Sequence, residues 1–284
     1  MISAVLWTRL EVFFLALWGE TSAVGQFAVA FSMANAAVQV PLMISAVLFP
    51  HLSARVGTHG LHSLFPTYAA SLRLFAFLVF PVCLGIAALC PVLVPAIFGD
   101  RFTPAVTTAM ILVSGTMCLA IGSIGSTVLY VAERSHVPLL TDIAGAVVFT
   151  AACASLVPAF GAEGAAWSRV LVQAGVIAVQ TWYLHSVLGC RVPFAALSRL
   201  LLAAAMSAVT ARLCLHISDG VSAVPVAVAA AAAVYFGAIR LMNVLSRDDI
   251  ERLRGFSRIL PGTPGRFAEG AVDRLAPVKQ AQKT

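Results

Sequence analysis

Apolar residues run along this chain in long stretches, and polar or Gly/Pro punctuation cuts them into eight: Ile2 to Trp18, Val24 to Phe49, Ser71 to Phe98, Ala105 to Val131, Pro138 to Val157, Gly164 to Leu188, Leu197 to Leu215 and Val221 to Leu245. Crossing a bilayer takes about 20 mainly apolar residues, so the stretches have the length of membrane spans. Backbone groups inside hydrocarbon must find partners within the chain, which leaves helices or a closed barrel. The runs lack the period-two alternation of barrel strands, and the pattern predicts an all-α, polytopic membrane bundle of about eight transmembrane helices. Residues 1–245 form that bundle, and 246–284 are expected as a cytoplasmic basic tail, partly helical or disordered. Between spans the loops are short, except for Pro50 to Ala70.

Proline interrupts this picture without overturning it. Pro41 and Pro81 fall inside spans, while Pro91 and Pro95 punctuate the end of the third, where a kink or a re-entrant turn is expected. In the fourth span Gly115, Gly122 and Ser126 fall close to one face at 100 degrees per residue. Such a seam of small residues lets a neighbouring helix approach closely.

Composition agrees with the spans. The chain is 60% hydrophobic and 11% charged, whereas a soluble domain carries roughly a quarter charged residues. The formal charge of +6 could suggest nucleic acid, but half of that excess lies in the tail after Leu245, and no helix-turn-helix or aromatic RNA-binding motif accompanies it. Cys83, Cys90, Cys118, Cys153 and Cys214 fall within apolar runs, and only Cys190 lies near a loop. With no CxxC pair and no Cys/His metal spacing, they read as small buried hydrophobes, and neither metal nor cofactor is expected. His51, His59, His62 and His136 fall in loops as solvated or interfacial side chains.

Lys and Arg set the orientation. Loops after the second, fourth and sixth spans contain or border Arg55, Arg73, Arg134, Arg191 and Arg199, and the tail adds eight more basic residues, whereas the opposite loops offer mainly Arg101. By the positive-inside rule both termini are cytoplasmic. Met1 is followed at once by apolar residues, with Arg9 and Glu11 interrupting the stretch, which is not the pattern of a cleavable signal peptide.

Certain stretches then resemble a known family. The segment RLEVFFLALWGETSAVGQFAVAF, with the exit LFPHLSARVG, is similar to the seventh and eighth helices of polysaccharide flippases of the Wzx type, in the multidrug/oligosaccharidyl-lipid/polysaccharide exporter superfamily. Glu11, Gly25, Ala30, Pro50 and Ser53 stand where that family's pattern has an acidic residue, a turn and an exit, and Phe27 replaces its usual Tyr. LVPAIFGDRFTPA, LYVAERSHVPLL and FGAEGAAWSRVLVQ continue the resemblance in the same order through about residue 245. It implies the C-terminal half of an exporter built from two helical bundles.

Charges inside spans are costly and must face protein, water or each other. Arg9 and Glu11, two residues apart, point to opposite sides of one helix and make a poor pair. Arg9 reads either as a snorkelling side chain or as part of a cavity, and the resemblance puts Glu11 toward the central cavity as a cation- or proton-linked group. Ser32, Asn35 and Gln39 share a face of the second span, as do Arg169, Gln173 and Gln180 of the sixth. Both stripes are candidates to line a hydrated path, with interhelical hydrogen bonding as the alternative for the amides. Arg169 offers a planar fork suited to pyrophosphate, or else an anchor at the periplasmic interface. Asp142, near the start of the fifth span, is a candidate for helix capping or for ion coupling.

The resemblance implies transport rather than enzymatic activity: flipping of polyprenyl-pyrophosphate-linked oligosaccharide from the cytoplasmic to the periplasmic leaflet of a bacterial inner membrane, in polysaccharide biosynthesis. The alternatives are a multidrug or lipid II exporter of the same superfamily and a membrane-embedded polysaccharide biosynthesis enzyme. The expected partners are the lipid bilayer, the lipid-linked oligosaccharide, and either a separate N-terminal bundle or a second copy; a truncated gene product is the remaining expectation. Nucleic acid is not an expected partner.

Overall fold

A computed structural model describes residues 2–18, 22–39, 64–217 and 223–242. Their helices are α1 (Ile2–Trp18), α2 (22–39), α3 (Leu64–Phe98), α4 (Ala105–Val131), α5 (His136–Ser186), α6 (Phe194–Ile217) and α7 (Val224–Met242), with a 3-10 turn at Asp100–Phe102. Among the described residues five helices are long and apolar enough to cross a membrane: Thr67–Phe98, Ala105–Val131, His136–Ser186, Phe194–Ile217 and Val224–Met242. The chain is a multi-pass helical membrane protein. Pro41, Pro50, Ser53, Arg55, His51, His59 and His62, the end of the second span, and the tail from 246 lie outside the described residues.

Helix α5 carries two spans. A straight helix of its 51 residues would be about 76 Å long at ~1.5 Å per residue, more than twice a hydrocarbon core of about 30 Å. The helix breaks at Gly161, where φ is 56° and ψ is −128°, a conformation that a side chain disfavours. The chain reverses there, and Gly164 then lies so close to the Leu156 carbonyl that a Cβ would overlap it. A glycine is needed twice within four residues, once to turn and once to pack. Residues 136–160 and 162–186 thus form an antiparallel hairpin, and Gln180 of the second arm donates to Thr141 Oγ1 of the first at 2.9 Å.

The second arm runs parallel to α4 along the small-residue seam. Gly115 faces Val170, Gly122 faces Ile177, and Ser126 donates to Gln180 Oε1 at 2.9 Å. Without side chains at 115 and 122 the two axes close up, replacing lipid contact by dispersion between helices. On the other side, α3 packs against both α4 and α6, and α6 against α7. Tyr235 of α7 donates to the Phe77 carbonyl at 2.6 Å, and Ser207 of α6 to the Ala231 carbonyl at 2.8 Å. These bonds give buried hydroxyls a partner where water is absent. Exposed Leu139, Ile143, Val147, Leu171 and Trp182 cover the outside of the α5 hairpin with apolar surface, as a helix facing lipid requires.

Two expectations are corrected. The third helix begins at Leu64, inside the loop expected over Pro50 to Ala70, and it runs unbroken through Pro81, Pro91 and Pro95, so no re-entrant turn forms. Proline near a helix start is tolerated, which lets Pro66 sit in the first turn. Asp142 does not cap α5: the helix starts at His136 after Ser135, which leaves Asp142 half-buried in the second turn and beyond the free N–H groups.

Candidate functional site

Helices α1 and α5 meet through a charged pair. Glu11 is fully buried, and both of its carboxylate oxygens are taken by Arg169: Nε donates to Oε1, and Nη2 donates to Oε2 at 2.8 Å. The planar fork of arginine matches a carboxylate in this two-point way. Arg169 keeps 18% of its side chain exposed, and its guanidinium lies 5.2 Å from the centroid of the Phe31 ring on α2. That ring's negative face adds a second attraction for the cation. Three helices thereby hold Arg169 in one position.

On its open side Arg169 borders a cavity of about 190 Å³ between α2, α4 and the second arm of α5. Asn35 and Gln173 supply its amides, Phe31, Leu112 and Leu119 apolar walls, and Thr116 also lines it, its hydroxyl engaged by the Val113 carbonyl and Cys83 of α3. Gly115 belongs to the same wall, so the seam that seats Val170 also shapes the cavity floor. A guanidinium, two amides and an aromatic face make a site suited to an anionic or polyhydroxylated group.

The structure brings Glu11, Asn35, Arg169 and Gln173 together, and it turns Arg169 inward to Glu11 rather than outward as an interfacial anchor. Gln39 is exposed one turn beyond Asn35 and is not among the cavity's lining residues. Gln180 does not line the cavity either. It is 4% exposed and fully engaged, accepting from Ser126 and donating to Thr141. It shares a helix face with Arg169 but lies about 16 Å further along the axis, where the neighbours are different. Arg9 is helical, and its side chain lies outside the described residues. Phe31 and Thr116 were not legible as site residues, because a Phe or Thr in an apolar run carries no signal until its neighbours are known.

Residues 1–107 match the family model described as polysaccharide biosynthesis protein. No curated protein matches the sequence. Among solved structures, the chain is similar to a MOP superfamily transporter from Pyrococcus furiosus, described as having a binding pocket of reverse polarity that suggests a different function. The identity is 14% and the TM-score 0.51, over 97% of this chain and 74% of that one. A multidrug resistance MATE family transporter of the MOP superfamily, in an outward-facing conformation, is 15% identical with a TM-score of 0.53 over the same shares. The fold is that of these transporters, and the first 107 residues carry the polysaccharide biosynthesis family pattern.

Proposed function

From the polysaccharide biosynthesis pattern of its first 107 residues and a fold like that of MOP superfamily transporters, we propose that the chain moves a polyprenyl-pyrophosphate-linked oligosaccharide from the cytoplasmic to the periplasmic leaflet of a bacterial inner membrane. The observation that carries this reading is the buried Glu11–Arg169 pair opening on the cavity of Asn35 and Gln173. At about 190 Å³ the cavity is smaller than the ~300–1,000 Å³ of sites that enclose a whole ligand. It accommodates a diphosphate, and the sugars extend toward the facing wall. That wall belongs to a facing bundle, of the same or another polypeptide, or to a second copy of the chain.

Glu11 sets the terms of binding. While it is ionised it neutralises the guanidinium and takes its Nε/Nη2 edge, and a charge buried without its partner is costly. A proton delivered to Glu11 frees the fork of Arg169 for the anionic substrate, and return of the carboxylate expels it. Phe31 holds the guanidinium in place through the exchange. Coupling proton movement to substrate release in this way needs no part beyond the pair and access that alternates between leaflets.

A multidrug exporter is the second reading, favoured by the carboxylate of Glu11 on the site and by the likeness to a multidrug resistance transporter. One experiment separates the two. Cells carrying the chain are assayed for leaflet accessibility of lipid-linked sugar and for resistance to cationic drugs. Flipping that fails with Arg169→Gln supports the first reading; drug efflux that fails with Glu11→Gln, with sugar accessibility unchanged, replaces it by the second.

A further inference from the structure

We propose that Arg212 and His216 of α6 form a second site, separate from the Arg169 cavity, for the phosphate of an anionic membrane phospholipid. This inference does not rest on the flippase reading. Arg212 stands five residues before the end of α6 at Ile217, about 8 Å along the axis, at the border of hydrocarbon and headgroups. His216 follows one turn later and on the same face. Together with Leu215 of α6 and Ala88, Pro91 and Val92 of α3, they line a pocket of about 200 Å³.

The direction of the arginine is what marks the site. A side chain that merely reaches for water extends along the helix toward the boundary. Arg212 instead turns sideways into the bundle, its Nη1 lying 3.9 Å from Met110 Sδ on α4. A thioether is a weak acceptor, whereas a guanidinium carries five N–H donors. Among the described residues no carboxylate pairs with Arg212, and no buried side-chain nitrogen lacks a partner. The remaining donors therefore open on the pocket. An arginine and a histidine with no acid paired to them among the described residues match a phosphate, two of whose oxygens meet the fork while the third accepts from the imidazole.

The depth selects the source of that phosphate. A free ion must leave water to reach a pocket walled by Ala88, Pro91, Val92 and Leu215 at the edge of hydrocarbon, which costs its hydration. The phosphate of a lipid already resides at that level. Its tails remain in the bilayer, so the pocket has to hold only the headgroup.

The full chain, purified and exchanged into mixed micelles of phosphatidylglycerol and phosphatidylcholine with the same acyl chains, tests this by native mass spectrometry. Wild type retains phosphatidylglycerol in preference, by about fivefold for the charge of Arg212. Arg212→Gln and His216→Gln each reduce the preference, and together they abolish it, with unchanged thermal unfolding in phosphatidylcholine alone. If Arg212→Gln does not fold, Arg212→Lys keeps the charge and supports the proposal by retaining part of the preference. Two results overturn it: an unchanged preference in the double variant, or displacement of phosphatidylglycerol by millimolar inorganic phosphate.

Discussion

Glu11 of α1 and Arg169 of the second α5 arm stand 158 residues apart in sequence and close a two-point ion pair inside the bundle. Removing one member leaves the other buried and unpaired. Glu11→Leu and Arg169→Leu should each destabilise the fold by about 3–5 kcal/mol, and the double Leu variant should recover most of the loss. Unfolding titrations in detergent measure this; additive losses would show that the side chains do not act as a pair.

Gly122 tests the seam between α4 and the hairpin. A Cβ there would press on the Ile177 side chain, so Gly122→Val should cost about 1–3 kcal/mol. Ile177→Ala in the same background should restore part of it by making room. The same titration reads both variants, and equal loss with and without the second change would mean that the strain lies elsewhere.

The chain leaves α4 through Glu133, a non-glycine residue at φ 60°. The left-handed conformation costs an ordinary residue roughly 1–2 kcal/mol that glycine avoids. Glu133→Gly should therefore raise stability by about 1 kcal/mol, whereas Gly161→Ala, at φ 56°, should lower it by a similar amount. Thermal shifts of opposite sign are the expected readout, and shifts of the same sign would contradict the backbone assignment.

Cys190 lies outside the spans, in the connection between α5 and α6, yet it is fully buried, and this pushes its thiol up to about 11. The thiolate is the reactive form. Maleimide should leave Cys190 unmodified at pH 7 to 8 in the folded protein and label it on unfolding. In the unfolded chain the thiol titrates near ~8.5. Stability from this group is complete below that value and is lost as pH rises through about 11. Rapid labelling of the folded protein at neutral pH would show that the connection is open.

Spans were legible because lipid enforces a simple rule: an uninterrupted apolar run of the right length must be a helix. The seam of Gly115, Gly122 and Ser126 was legible too, since small residues on one helix face have few other uses, and so was the break between the spans that end at Val157 and begin at Gly164. The site was only partly so. Helical periodicity grouped Arg169, Gln173 and Gln180 on one face but carried no depth, and depth decides that Arg169 meets Glu11 while Gln180 meets Ser126 and Thr141. Nothing local points from Glu11 to a partner 158 residues away; that pairing exists only once the hairpin packs against α1.

On the proposed function, Glu11 and an anionic substrate compete for Arg169. Binding of a polyprenyl-pyrophosphate-linked sugar to the purified chain, in wild type, Glu11→Gln and Arg169→Gln, measures this competition directly. Binding should be tighter than wild type for Glu11→Gln, whose neutral amide releases the guanidinium, and weakened at least tenfold for Arg169→Gln. Equal affinity in all three would contradict it.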